Sequence, residues 1–92
     1  MRPLTHALPG ALVQLLRETP LSDGKVGFAW RAAVGPALER ATKVKLERKL
    51  LIVETTSLQW SREVTRSAPT ILKRLQTLLG ADVVDRIEVR RA

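Results

Sequence analysis

The chain has no cysteine and no tyrosine, and only one histidine, one phenylalanine and two tryptophans among its 92 residues. Without cysteine there is no disulfide framework, no thiolate zinc site and no thiol nucleophile. A single imidazole, His6, makes no cluster to replace them. Metal-finger and Cys/His enzyme classes are therefore excluded, and no cofactor is expected. Aromatics make up 3% of the chain, too few for a module that reads bases by stacking them on several exposed rings. No apolar run approaches the roughly 20 residues a membrane span needs. Pro9-Gly10 breaks the apolar stretch near the start, Gln14 and Arg17-Glu18 end it, and no small-x-small cleavage site follows. This is not a secretory signal, and a cytoplasmic location is expected.

What is present is charge and a moderate apolar content. Hydrophobic residues are 45% of the chain, which is globular rather than disordered. A chain this short buries roughly 60–70% of its unfolded surface, enough for a single core. One domain over residues 1–92 is expected, with an N-terminal helical segment to residue 20 and the core over 21–90.

Apolar periodicity gives the elements. Leu12, Leu15 and Leu16 lie at helical spacing between Pro9 and Thr19-Pro20, which predicts a short first helix. A second starts after Ser22, a good N-cap, with Leu21 and Val26 placed for a hydrophobic staple, and ends at Gly35-Pro36. A brief helical turn follows at Ala37 to Arg40. From Thr42 the period becomes two, and a hairpin with Arg48-Lys49 at its tip pairs Leu46 with Leu51, Val44 with Val53, Lys45 with Ile52 and Lys43 with Glu54. Neither tip residue favours φ > 0, so a longer, looser turn stays open as an alternative. The second strand is apolar on both faces and should be central. The longest helical pattern runs from Ser57 to Leu79 with Trp60, Val64, Ala68, Ile71, Leu75 and Leu78 at spacings of three and four. Pro69 should kink or break it near Ser67. Gly80 closes it, and a last strand is expected over Val83 to Arg90. The fold class is α+β, in the order α-α-β-β-α-β, with helices packed on one face of a three-stranded sheet.

The net charge of +7 is unevenly placed: residues 40–74 hold nine basic and three acidic side chains, a net of +6. The cations are Arg40, Lys43, Lys45, Arg48, Lys49, Arg62, Arg66, Lys73 and Arg74. Arg62, Arg66 and Lys73 share a helix flank opposite Val64, Ile71 and Leu75. Such clustering suits a phosphate backbone better than a merely solvated face, with little sequence preference. Gly24-Lys25-Val26-Gly27 matches the GxxG pattern of KH domains, but no strand precedes it and a helix start is the simpler reading. Asp82, Asp85 and Glu88 read as turn and strand-edge residues rather than metal ligands. No catalytic or metal site is expected.

The spacing Trp30-x-x-x-Val34-Gly35, then Thr42, Leu51-Ile52-Val53, Ser57-x-x-Trp60-x-x-Glu63-Val64, Ile71-Leu72-x-x-Leu75 and Leu79-Gly80 before Val84 and Ile87 resembles the DciA family of bacterial replication proteins. The resemblance runs from about Val26 to Val89. It implies a KH-like domain, DNA binding, and a role in loading the DnaB-type replicative helicase. Relatives often carry a glycine at the hairpin tip, where this chain has Glu47-Arg48-Lys49. Many also continue in a basic extension, whereas this sequence stops at Ala92.

The expected protein is thus a non-enzymatic DNA-binding adaptor, single- or double-strand directed, whose partner is a DnaB-type helicase and not a membrane. DNA is expected on the basic hairpin and helix flank. The open sheet face, with Lys43, Lys45, Arg86 and Arg90 around Ile52, is open to either partner, and the uncovered patch around Ile52, with Arg86 and Arg90, is the expected protein contact. The alternatives are a KH-like RNA-binding protein in ribosome or RNA metabolism, and a protein-interaction module whose charge serves only solubility.

Overall fold

Two-residue alternation, a helix and a second two-residue alternation become a mixed sheet with a crossover in the computed structural model, which describes residues 8–91. Strands β1 (Thr42–Glu47) and β2 (Leu50–Thr55) form the antiparallel hairpin in the expected register, Lys43 opposite Glu54 and Val44 opposite Val53. Helix α4 (Leu58–Leu79) then crosses back, and β3 (Arg86–Arg91) lies parallel to β2, giving the order β1-β2-β3 with β2 central. A parallel pair needs such a long crossover. Before the sheet come α1 (Gly10–Glu18), α2 (Asp23–Val34) and α3 (Pro36–Arg40). The protein is α+β, and this arrangement is compatible with the KH-like expectation.

The tight turn won at the hairpin tip. Arg48 and Lys49 both take positive φ, 49° and 70°, as a two-residue hairpin turn of the primed type requires. Each non-glycine residue there costs about 1–2 kcal/mol. That cost is offset because the register it preserves keeps Leu51 and Val53 fully buried. The Lys49 carbonyl also accepts hydrogen bonds from the Asp85 and Arg86 amides, pinning the tip to the start of β3.

All the helices serve one face of the sheet. Leu16 from α1, Val26, Ala29, Trp30, Ala33 and Val34 from α2, Leu38 from α3 and Val64, Ile71, Leu75 and Leu78 from α4 share one cluster with Leu51 and Val53, and Val44, Leu46, Ile87 and Val89 pack against it. Trp30 is buried with its indole Nε1 donating to Thr42 Oγ1 at 2.9 Å, and that hydroxyl donates to the Leu38 carbonyl at 2.7 Å. One threonine therefore ties α2, α3 and β1 together while satisfying a buried N–H. Ser22 and Ser57 cap α2 and α4 by accepting from the Lys25 and Trp60 amides.

Four local expectations are corrected. Pro69 does not break α4, which runs through it for 22 residues. Pro69 lies on the solvent side with Thr65, so the carbonyl it leaves without a donor faces water, while Val64 and Ile71 hold the helix from its buried side. Strand β3 begins at Arg86 rather than Val83. Gly80, at φ 109°, starts a turn whose amides Val83 and Val84 donate back to the Gly80 carbonyl, and Val84 is spent filling the core. On α1 the buried residue is Leu16, while Leu15 is 63% exposed; Leu21, expected to staple α2, is 55% exposed. His6 lies outside the described residues. Among those residues no helix is long and apolar enough to cross a membrane.

Candidate nucleic-acid interface

Because β-strand side chains alternate between faces, the strand positions that serve the core fix the opposite face as well. Val44, Leu46, Leu51, Val53, Ile87 and Val89 point to the helices, so Lys43, Lys45, Glu47, Leu50, Ile52, Glu54, Arg86, Glu88 and Arg90 form the uncovered face. The register sets them in three rows. Lys43, Glu54 and Arg90 stand abreast, then Lys45, Ile52 and Glu88, then Glu47, Leu50 and Arg86. Four cations alternate with three carboxylates. Lys45 pairs with Glu47 at 3.2 Å, Arg90 pairs with Glu88, and Arg86 pairs with Asp85 at 3.4 Å. The expected apolar opening at Ile52 is corrected: Ile52 is only 8% exposed, lying between Lys45 and Glu88, whose aliphatic stems flank it.

Helix α4 presents the opposite case. At 100° per residue Arg62, Arg66 and Lys73 fall within a narrow stripe, directly away from Val64, Ile71, Leu75 and Leu78, which are completely buried. All three cations are exposed. Glu63 is the one acid beside the stripe and pairs with Arg66 at 3.7 Å. Among the described residues Arg62 and Lys73 enter no ion pair. Along the axis Arg62 and Arg66 are about 6 Å apart, and Lys73 stands about 10 Å further on.

The nine clustered cations of residues 40–74 thus do not share one surface. Lys43 and Lys45 lie on the uncovered sheet face, and Arg62, Arg66 and Lys73 lie on the far side of the helical layer. Arg48 and Lys49 project at the hairpin tip, at the end of the sheet where β3 begins. Arg40 ends α3, at the other end of β1. Arg74 flanks the α4 stripe and is half-buried. Arg86 and Arg90 do join Lys43 and Lys45 on one face, as expected.

Two features escaped the sequence. Lys25 is nine-tenths buried, and its ammonium donates to the Thr19 carbonyl at the end of α1, where a cation also meets the helix dipole favourably. The Gly24-to-Gly27 stretch is therefore the first turns of α2 and not a backbone-clamping loop. The second feature is a groove beside Arg62 and Arg66, floored by apolar side chains of α2, α3 and the start of α4. Its sequence signal was Leu58, an apolar residue directly after the N-cap and off the buried stripe. The neutralised sheet face had a signal too: Lys45-x-Glu47 and Glu88-x-Arg90 put opposite charges two apart, on the same side of a strand.

For catalysis the described residues offer no group of three His, Asp or Glu side chains able to hold a metal. Phe28 is the one largely exposed ring, at 53%; Trp30 is buried and Trp60 half-buried against the core. The surface can hold phosphates by charge and has little with which to stack bases. A comparison with curated proteins finds no match. A family model does match, described as "Dna[CI] antecedent, DciA", over residues 3–89, nearly the whole chain.

Proposed function

The chain belongs to the DciA family, and on that premise we propose that it is a non-enzymatic adaptor that binds DNA and helps load the DnaB-type replicative helicase. The family is one of helicase-loading proteins, which supports the helicase half of this reading and disfavours the RNA-metabolism alternative. A replication role supports a cytoplasmic location. We read the whole chain as one unit, since Leu16 of α1 shares the core with α2, α4 and the sheet.

One observation supports the DNA half: the α4 stripe of Arg62, Arg66 and Lys73 is exposed and opposed only by Glu63. Each phosphate such a residue neutralises releases condensed counterions, so affinity falls steeply with salt. Contact of this kind positions the protein without reading sequence. Fluorescence anisotropy with single- and double-stranded DNA over a salt series tests it. The variant Arg62→Glu/Arg66→Glu/Lys73→Glu should bind more weakly and lose up to about 2.7 from its log–log salt slope, about 0.9 for each of three phosphates. An unchanged slope removes this site. The helicase half is tested separately, by pull-down of purified replicative helicase with and without DNA.

A further inference from the structure

The groove beside the stripe has a chemistry that phosphate binding does not use. It spans about 870 Å³ and is floored by Val34, Ala37 and Leu38 and walled by Leu58 and Trp60 from the first turn of α4. Val34 and Leu38 are buried, so the floor is anchored in the core and does not collapse, whereas Leu58 stands 49% exposed. An open apolar wall over a fixed floor is what a docking groove requires. Arg62, Glu63 and Arg66 form the rim, and the only carboxylate there is already engaged by Arg66.

We propose that this groove docks an acidic amphipathic helix of a partner protein. Inside the charged rim the lining is Val34, Ala37, Leu38 and Leu58 with Trp60 and one amide, Gln59, which suits Leu, Ile or Val side chains projecting at i, i+3/i+4 spacing from a helix laid in the groove. The rim chooses the charge. Arg62 and Arg66 are one helical turn, about 6 Å, apart, so carboxylates one turn apart on a helix lying along α4 meet both at once. From Leu58 to Arg66 the groove follows α4 for about 12 Å, two turns of such a partner. Bases of a single strand fit less well, because the one ring in the groove, Trp60, is half-buried against the core and the rest of the wall, Leu58 and Gln59, offers no second stacking surface. Arg62 and Arg66 also belong to the phosphate stripe, so docking and DNA binding compete for them; this consequence rests on the DNA reading above, while the groove does not.

Peptides of about 16 residues, selected from a random phage-displayed library on the full chain, test the proposal. Selected sequences should combine aliphatic residues at helical spacing with acidic residues. They should bind Leu58→Ser and Arg62→Glu/Arg66→Glu at least about tenfold more weakly than the unmodified chain. Leu58 is a surface residue, and an unchanged melting temperature confirms that its variant folds. Leu58→Ser should leave duplex DNA affinity within about twofold. No enrichment, enrichment without acidic residues, or equal binding to Leu58→Ser overturns the proposal. So does a Leu58→Ser protein that loses oligothymidine affinity and binds no peptide, which would assign the groove to bases. Displacement of a bound peptide by duplex DNA is expected, and its absence overturns the competition alone.

Discussion

The uncovered sheet face carries four cations and the outer stripe of α4 carries three, yet the two regions present different fields. On the sheet, Lys43, Lys45, Arg86 and Arg90 are interspersed with Glu47, Glu54 and Glu88, leaving a net of +1 on that face. On the helix, Arg62, Arg66 and Lys73 line up with only Glu63 beside them. The difference lies in the repeat of each element. A strand returns to the same face every second residue, so Lys-x-Glu neutralises itself; a helix returns every third or fourth, and this one has basic residues at those positions and its acid one step aside. Charge summed over a segment does not give the field of a surface.

Reversing the stripe breaks the comparison most directly. Arg62→Glu/Arg66→Glu/Lys73→Glu should cost on the order of thirtyfold in DNA affinity at low salt, read by anisotropy. Next in size is a test of the frame that keeps the two regions apart. Thr42→Val preserves shape but strands the buried Trp30 indole N–H, while the Leu38 carbonyl keeps the Ala41 amide, and should lower stability in urea by about 1–3 kcal/mol. The folded fraction should bind DNA as before; a weaker Kd would show that the faces depend on the frame for more than placement.

A sharper version makes the sheet resemble the helix. Removing the carboxylates by Glu47→Gln/Glu54→Gln/Glu88→Gln leaves four unopposed cations on the sheet, and DNA affinity should rise about two- to fivefold with a steeper salt slope. No change would mean that the sheet face stays away from DNA whatever its charge. The smallest effect on binding is expected for Lys43→Glu/Lys45→Glu, under about twofold. A loss equal to that of the stripe variant would invert the comparison and return the site to the hairpin.

Much of the fold was legible before the structure. The change of period at Thr42 gave the hairpin, and the pairing of Lys43 with Glu54 supported its register, because a one-residue slip would turn Val44 and Leu46 away from the face that holds Leu51 and Val53. Ser22 announced its helix through capping chemistry that needs no tertiary partner. Local preference misled where packing outweighed it. Proline disfavours a helix interior, but Pro69 falls on the solvent side of a helix held by Val64 and Ile71. Arg48 and Lys49 disfavour positive φ, but the strands behind them dictate the turn. Val83 and Val84 look like the start of a strand, yet Gly80 turns the chain and Val84 is drawn into the core.

The candidate site was legible as a list of cations and illegible as a surface. The sequence determined which residues are basic, that they crowd into residues 40–74, and that Arg62, Arg66 and Lys73 share a flank, since periodicity is a local property of one element. The one-sided covering of the sheet was expected; only the tertiary structure put the open sheet face and the α4 flank on opposite sides of the molecule, which parts Lys43 and Lys45 from that flank. It also decided that β3 runs beside β2, bringing Glu88 across from Ile52, and that α3 packs near the start of α4 to open a groove at Leu58. Those outcomes depend on contacts between residues far apart in the chain, where the burial of the whole core, and no local spacing, sets the answer.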